Sequence, residues 1–452
     1  MFRNLVLILM TVLLVFYAIR HIKFHLSIPN VLKVLFIYVF FFGVLQFFKV
    51  PSFIIKFTID LFFILILLGL AAKSNLKVPG LPIFALFTTF YIFSVAINHS
   101  VLYPSFTFYR IFIYPYLLFI AVYNIDLNED KRIVFDKLIM FLFVVQIAGG
   151  IFKYLFFGIF EKGLIGTISV DGGAYSTMLP LFAISFILAF YLIIKPDKKY
   201  IYWSIGFLFI AYTGAKRGIW LYIPVIIFLA IYFYRKVVTF GYITKSLLNR
   251  MVLFTILGMG ILVIGARLTP SLNPEESREG SFDANYVSTY AMDYTFNASE
   301  VDDVTFGRGA NFLRAMERVF AAGFEKVMFG FGPDVSKGVA TYGEGIWGDF
   351  GISGPTTGIT QHIVQMGFPA VLIILLAFYK AGRIFYRQSY IEYDPFWKAI
   401  SFGGLIATFV FFIDYLTYSS SFLSTLFPLS FTYFYVLAIV MLRNRDCLIA
   451  SA

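Results

Sequence analysis

The chain has 452 residues, of which 60% are hydrophobic and 13% charged, and phenylalanine alone supplies 58. No soluble fold of this size has enough interior to hide so much apolar surface, which excludes soluble multi-domain and disordered classes and requires lipid as the covering solvent. The net charge of +11 marks cytoplasmic loops in a membrane protein rather than a nucleic-acid footprint, so nucleic acid drops out as a partner.

Apolar runs of spanning or near-spanning length recur from the first residues onward. The first, 5–19, follows a weakly basic start and lacks a small-residue cleavage site, so it reads as a retained span rather than a removed signal peptide. Further candidates are 31–48, 53–72, 82–98, 107–123, 133–157, 174–194, 200–213, 218–234 and 251–266, then 363–379, 400–416 and 426–442. The expected fold is an all-α polytopic transmembrane bundle of about 12–14 spans with one large, partly helical extracytoplasmic loop. Three regions follow: transmembrane helices over 1–266, the loop over 267–358, and transmembrane helices over 359–452.

Basic residues assign the sides. With thirteen spans, seven clusters fall together: Arg20 with Lys23, Lys73 with Lys77, Lys131 with Arg132, Lys195 with Lys198 and Lys199, Arg235 and Lys236 with Lys245 and Arg250, Lys380 with Arg383 and Arg387, and Arg443 with Arg445. The positive-inside rule makes that side cytoplasmic, with Lys49 and Lys56 as exceptions. The segment 267–358 then lies on the other side. It holds 7 Lys/Arg and 13 Asp/Glu, a net charge of −6, as an outer loop should.

Within that loop, 306–328 reads as one amphipathic helix capped by Thr305 or Asp303. Its expected apolar face carries Phe312, Met316, Val319, Phe320, Gly323 and Val327, and Asn311, Arg314 and Arg318 lie opposite with Arg308 at the edge. Residues 330–358 contain nine glycines and read as loop. The single cysteine, Cys447, excludes an intramolecular disulfide and a cysteine-based metal cluster. Four scattered histidines make no metal site.

Four features could carry chemistry. Thr213-Gly214-Ala215-Lys216-Arg217-Gly218 joins two spans on the expected outer side, where cations are normally avoided. It reads as an anion site, with snorkelling to headgroups as the plain alternative. Arg308, Arg314 and Arg318 suit phosphate, because guanidinium binds it bidentately and stays charged, although an exposed helix face paired with Glu317 and Glu325 would look the same. His362 sits where the loop re-enters the membrane and suits proton transfer, or serves as a satisfied interfacial residue. Asp414 inside an apolar span, and Glu344 and Asp349 in the glycine-rich stretch, are further candidates.

The order of these features resembles the O-antigen ligase and O-antigen polymerase superfamily of bacterial envelope enzymes. Thr213–Gly218 is similar to that superfamily's small-residue-Ser-Arg-Gly turn, with Lys216 where serine is usual. Gly307-Arg308 and the later Gly330-Phe331-Gly332 are similar to its Gly-Arg helix opening and Gly-x-Gly turn, at a longer spacing. His362 to Gly367 is similar to its His-led short helix ending in Gly, with Ile363 where Asn is common. The resemblance covers roughly 200–380. It implies a metal-independent, cofactor-free, inverting glycosyl transfer at the outer face of the bacterial inner membrane, from an undecaprenyl-diphosphate-linked oligosaccharide. By that resemblance Arg217 and Arg308 would hold the diphosphate, with Lys216 and Arg314 or Arg318 in support. His362 would be the base or orient the acceptor. A repeat-unit polymerase, partnered by the bilayer and a chain-length regulator protein, is the leading expectation. Ligase transfer to lipid A core and a lipid-linked oligosaccharide flippase are the alternatives.

Overall fold

The computed structural model describes residues 27–125, 129–158, 165–170, 175–194, 197–213, 217–239, 242, 245–269, 272–277, 280–296, 307–338, 356–417, 422 and 427–450. Among them there are sixteen α-helices and no strand. In chain order these are α1 (Ile28–Phe40), α2 (Phe42–Phe47), α3 (Ser52–Ala71), α4 (Leu81–Ile97), α5 (Leu102–Asn124), α6 (Glu129–Phe157), α7 (Tyr175–Ile193), α8 (Lys198–Thr213), α9 (Arg217–Val237), α10 (Lys245–Leu268), α11 (Ala284–Phe296), α12 (Arg308–Ala321), α13 (Phe324–Phe329), α14 (Gly358–Ile391), α15 (Pro395–Thr417) and α16 (Pro428–Ala450). The expected span 5–19, the cap candidates Asp303 and Thr305, Lys216, Glu344 and Asp349 lie outside the described residues.

Among the described residues, seven helices are long and apolar enough to cross a bilayer: α3, α5, Phe135–Phe157 of α6, Ser176–Ile193 of α7, Gly218–Val237 of α9, α14 and α15. Ile28–Phe40, Leu81–Ile97 and Gly258–Leu268 are shorter apolar helices. The described residues therefore form the all-α helix bundle of a polytopic membrane protein. Large apolar side chains such as Phe53, Leu68, Leu102, Phe228 and Leu372 stand exposed on its outside. In water this would be a liability, whereas lipid covers them at no cost.

At the centre, α15 packs on both α14 and α7. The approach is close because Gly403 faces the Phe186 ring and Gly404 the Phe385 ring. A Cβ at either glycine would come within 2.5 Å of ring carbon. Small residues at a helix interface are how transmembrane helices gain packing when lipid offers no hydrophobic drive. Elsewhere α16 packs on α5, and α9 on α10.

Two expected helices are broken. The run 31–48 divides at Phe41, where the segment 165–170 fills the gap. The Thr167 hydroxyl donates to the Phe40 carbonyl at 2.8 Å, and the Gly43 N–H donates to the Thr167 carbonyl at 2.8 Å. The amphipathic run 306–328 divides at Ala322 and Gly323, the latter at φ +95°, so it forms two helices rather than one. α12 also opens later than expected, with Gly307 at its cap position and no side-chain cap.

The buried stripe of α12 is Asn311, Ala315 and Val319, while Phe320 and Gly323 are exposed. The expected apolar face is thus rotated toward Asn311, a polar residue that sequence periodicity assigned to the outside. Small residues at Ala310 and Ala315 allow the close approach that buries it.

Candidate active site

Contacts between helix ends place the sequence candidates relative to one another. Tyr222, in the second turn of α9 after Arg217, shares a hydrogen bond with Thr417 at the end of α15 (2.8 Å). Two residues earlier on α15, the Tyr415 hydroxyl lies 3.1 Å from His362 Nδ1, in the second turn of α14. The Trp220 indole N–H donates to Thr269, just past the end of α10 (3.1 Å). The start of α9, the ends of α10 and α15 and the start of α14 therefore lie at one end of the bundle. Arg217 and His362 share that end, and α12, headed by Arg308, packs on α14 there.

The basic residues Lys73, Lys77, Lys198, Lys199, Arg235, Lys236, Arg387 and Arg443 sit on chain segments at the opposite end. Lys73 and Lys77 pair with Asn124 at the end of α5, and Arg443 meets the buried Glu392 just after α14 (3.2 Å).

The His362 neighbourhood is built on a broken helix. Helical geometry runs through α14 except at Gly367, where φ is +79° and ψ 179°. That conformation belongs essentially to glycine. Pro369 follows and has no N–H, so the Gln365 carbonyl loses its helical partner. A buried backbone carbonyl must find another donor. Here the loop supplies it. Phe331 N–H donates to the Val364 carbonyl at 2.7 Å, and Gly332 N–H to the Gln365 carbonyl at 3.1 Å. The buried Ser94 hydroxyl of α4 lies 2.6 Å from the Phe329 carbonyl and 3.1 Å from that of Gln365. Gly330, at φ +67°, presses so close that a Cβ there would meet the Gln365 and Met366 backbone at 2.5 Å.

The Gly-Phe-Gly turn thus docks by backbone hydrogen bonds onto the short helix that carries His362. Further ties hold the turn to the α4–α5 connection. Val101 N–H donates to Asp334 at 2.9 Å, and the Lys326 ammonium donates to Asn98 at 2.6 Å.

At its other end, the short helix is capped by Thr357, whose hydroxyl accepts from Thr360 N–H at 3.3 Å. His362 is buried, edge-on to Phe108 and Phe112 and stacked on Tyr415. The sequence placed it at an interface, whereas the structure encloses it in aromatic rings. This geometry suits a residue that fixes the short helix against α15 and α5. Asp414 is also buried, beside Tyr415.

Of the arginines, Arg308 is half-buried on the inward face of α12, in register with Asn311 and Ala315. Arg314 is half-buried and Arg318 exposed. Arg217 opens α9.

Sequence reasoning missed a charged pair inside the membrane. Arg110 of α5 donates through one nitrogen to both carboxylate oxygens of Asp60 of α3, at 2.9 Å each, and the Tyr114 hydroxyl adds a contact of 2.5 Å. The signal was available, because Arg110 is the one charge in the apolar run 107–123 and Asp60 one of two, with Lys56, in the run 53–72. Phe108 and Phe112, which flank Arg110 in sequence, are the rings that enclose His362. Among the described residues no cluster of His, Cys, Asp or Glu could hold a metal. No protein-family model matches the chain, and no curated protein matches it.

Proposed function

We propose that this protein is a membrane glycosyltransferase that polymerises undecaprenyl-diphosphate-linked oligosaccharide repeat units into O-antigen or a related surface polysaccharide. One observation carries the reading. Segments widely separated in sequence, the Arg217 helix start, the Arg308 helix, the Gly330-Phe331-Gly332 turn and the His362 helix, gather at one end of the bundle. That end lies away from the basic clusters, and the positive-inside rule supports reading it as the outer face of the inner membrane.

In this reaction an acceptor hydroxyl attacks the anomeric carbon of the donor with inversion. The bond from that carbon to the diphosphate oxygen breaks, its electron pair leaves with the lipid diphosphate, and the proton of the acceptor hydroxyl passes to the leaving diphosphate or to water. Charge grows on the leaving group, so fixed guanidinium groups lower the barrier. Arg217 and Arg308 take that role, with Lys216 and Arg314 or Arg318 in support. His362 acts through position: enclosed and tied to Tyr415, it holds the helix on which the loop docks.

The test is elongation of purified lipid-linked repeat units by the reconstituted protein alone. Polymer formation, lost in Arg217→Ala and Arg308→Ala with the fold retained, supports the reading. Transport without elongation sinks it in favour of a flippase. In cells, deletion leaving core plus one repeat unit indicates a polymerase, and bare core indicates a ligase.

A further inference from the structure

The loop helices carry an apolar edge that is largely exposed. Leu313 is 62% exposed, Phe320 57% and Phe324 78%. On α12, Leu313 and Phe320 are seven residues apart, so they fall on one stripe, about 20° from alignment at the helical period. Gly309 and Met316, both half-buried, border that stripe, while Glu317, Arg314 and Arg318 lie round the helix from it. The helix thus has three faces. One is buried on the body through Asn311, Ala315 and Val319, one is charged, and one is apolar and open.

The open face continues the lipid-facing surface of the bundle. The Phe320 ring lies 5.5 Å from that of Phe368, at the point where α14 resumes after its break. One turn further, Leu372 is 64% exposed on the spanning part of α14. On the next helix, Phe329 of α13 meets the rings of Phe90 and Phe93 at 6.1 and 6.0 Å, and Phe93 and Ile92 are exposed outward from α4. Ring contacts therefore join the apolar outer sides of α4 and α14, which lipid covers, to α13 and α12.

We infer that α12 and α13 lie in the headgroup-to-acyl boundary of the bilayer, with Leu313, Phe320 and Phe324 inserted among lipid chains. Helices of this kind sit with their apolar side about 5–10 Å into the boundary and their charged side toward water. Aromatic rings suit that depth. The occupant of the face is the membrane in which the protein already resides, because the face is continuous with the surface that membrane covers. This placement holds whether or not the protein transfers glycosyl groups. It sets Arg314 and Arg318 at the height of lipid headgroups, whatever their ligand.

The experiment uses the full-length protein in phospholipid nanodiscs. The single cysteine is removed by Cys447→Ser, and nitroxide labels are attached through Leu313→Cys, Phe320→Cys, Phe324→Cys and, as an aqueous reference, Glu317→Cys. Accessibility to molecular oxygen and to a water-soluble nickel chelate is read at each site. The expected oxygen-to-nickel ratio at 313, 320 and 324 is severalfold that at 317. Nickel accessibility equal to that at 317 would place the face in water and overturn the inference. Protection from both reagents would place it against a second copy or another protein, and would overturn it equally. All four positions are exposed, so labelling does not disturb packing, and retention of the monodisperse state in detergent confirms each variant before reconstitution.

Discussion

Gly330→Ala isolates the docking of the loop on the broken helix, and Gly323→Ala supplies its control. Both glycines have positive φ, +67° and +95°, with ψ of −162° and 175°, so both occupy the region that is essentially glycine-only. An alanine at either carries backbone strain of about 1–3 kcal/mol. Their surroundings differ. A Cβ at Gly323 meets nothing within 4 Å, whereas at Gly330 it meets the Gln365 and Met366 backbone at 2.5 Å. No backbone atom can yield there without opening the Phe331–Val364 and Gly332–Gln365 hydrogen bonds. Losing those two bonds adds about 0.5–1.5 kcal/mol for each. Gly330→Ala should therefore lower stability by about 1–3 kcal/mol more than Gly323→Ala. Thermal unfolding of the two full-length variants in the same detergent measures the difference. Proteolysis of the 280–338 segment in the folded state should rise only for Gly330→Ala. Equal destabilisation of the two variants would refute the docking argument, since strain alone would then explain both.

The membrane-buried pair predicts an asymmetry. Asp60→Ala or Arg110→Ala alone should cost about 3–5 kcal/mol, because each strands a charge away from water, while the apolar double replacement should recover most of that loss in unfolding assays. Tyr415→Phe removes the hydroxyl beside His362 Nδ1 and should cost about 1–3 kcal/mol. If His362 positions the helix, the variant's pH–rate profile keeps its shape as its rate falls, and a displaced profile would show instead that the ring titrates in the reaction. Outside the membrane, the side chain and N–H of Ser281 hold the Glu275 carboxyl below the usual glutamate range. A depressed pKa means that this tie contributes at neutral pH and is lost as pH falls through the folded-state value. Protease cleavage within 272–283 should therefore rise on acidification in the wild type, and Ser281→Ala should be cleaved readily at both ends of the range.

What could be read from the sequence divides by the kind of physics involved. Hydropathy is a sum over many residues, so the helical class and the recurrence of membrane-spanning helices were legible from the chain alone. Facial assignments on α12 were not. Periodicity placed helix there but as one run instead of two, and rotated its buried stripe, because Asn311 is buried by the shape of its neighbours rather than by its own polarity. His362 was read as the point where the loop re-enters the membrane, and its enclosure by Phe108, Phe112 and Tyr415 depends on α5 and α15, far away in sequence. The Asp60–Arg110 pair was legible one residue at a time, while the pairing itself came only with the packing of α3 on α5.

Two of the three helix breaks, those at Phe41 and Gly367, show why glycine placement was informative about the site but not decisive. At Phe41 and at Gly367 a membrane-inserted helix is interrupted, and at each point backbone groups without helical partners would be costly in lipid. Each is answered by a loop from elsewhere whose glycine has positive φ, Gly166 at +62° and Gly330 at +67°. These glycines approach so closely that a side chain would collide, Gly166 with the backbone of Gln146 and Gly330 with that of Gln365. A glycine in a loop reports that some backbone must come near; only the partner tells which. For Gly330 the partner is the helix bearing His362, and that converts a turn motif into a positional constraint. Any movement of the 324–338 segment must either carry the His362 helix with it or expose the Val364 and Gln365 carbonyls. The loop and the re-entry helix are thus one mechanical unit, and loop variants should alter the site even where they touch none of its charged residues.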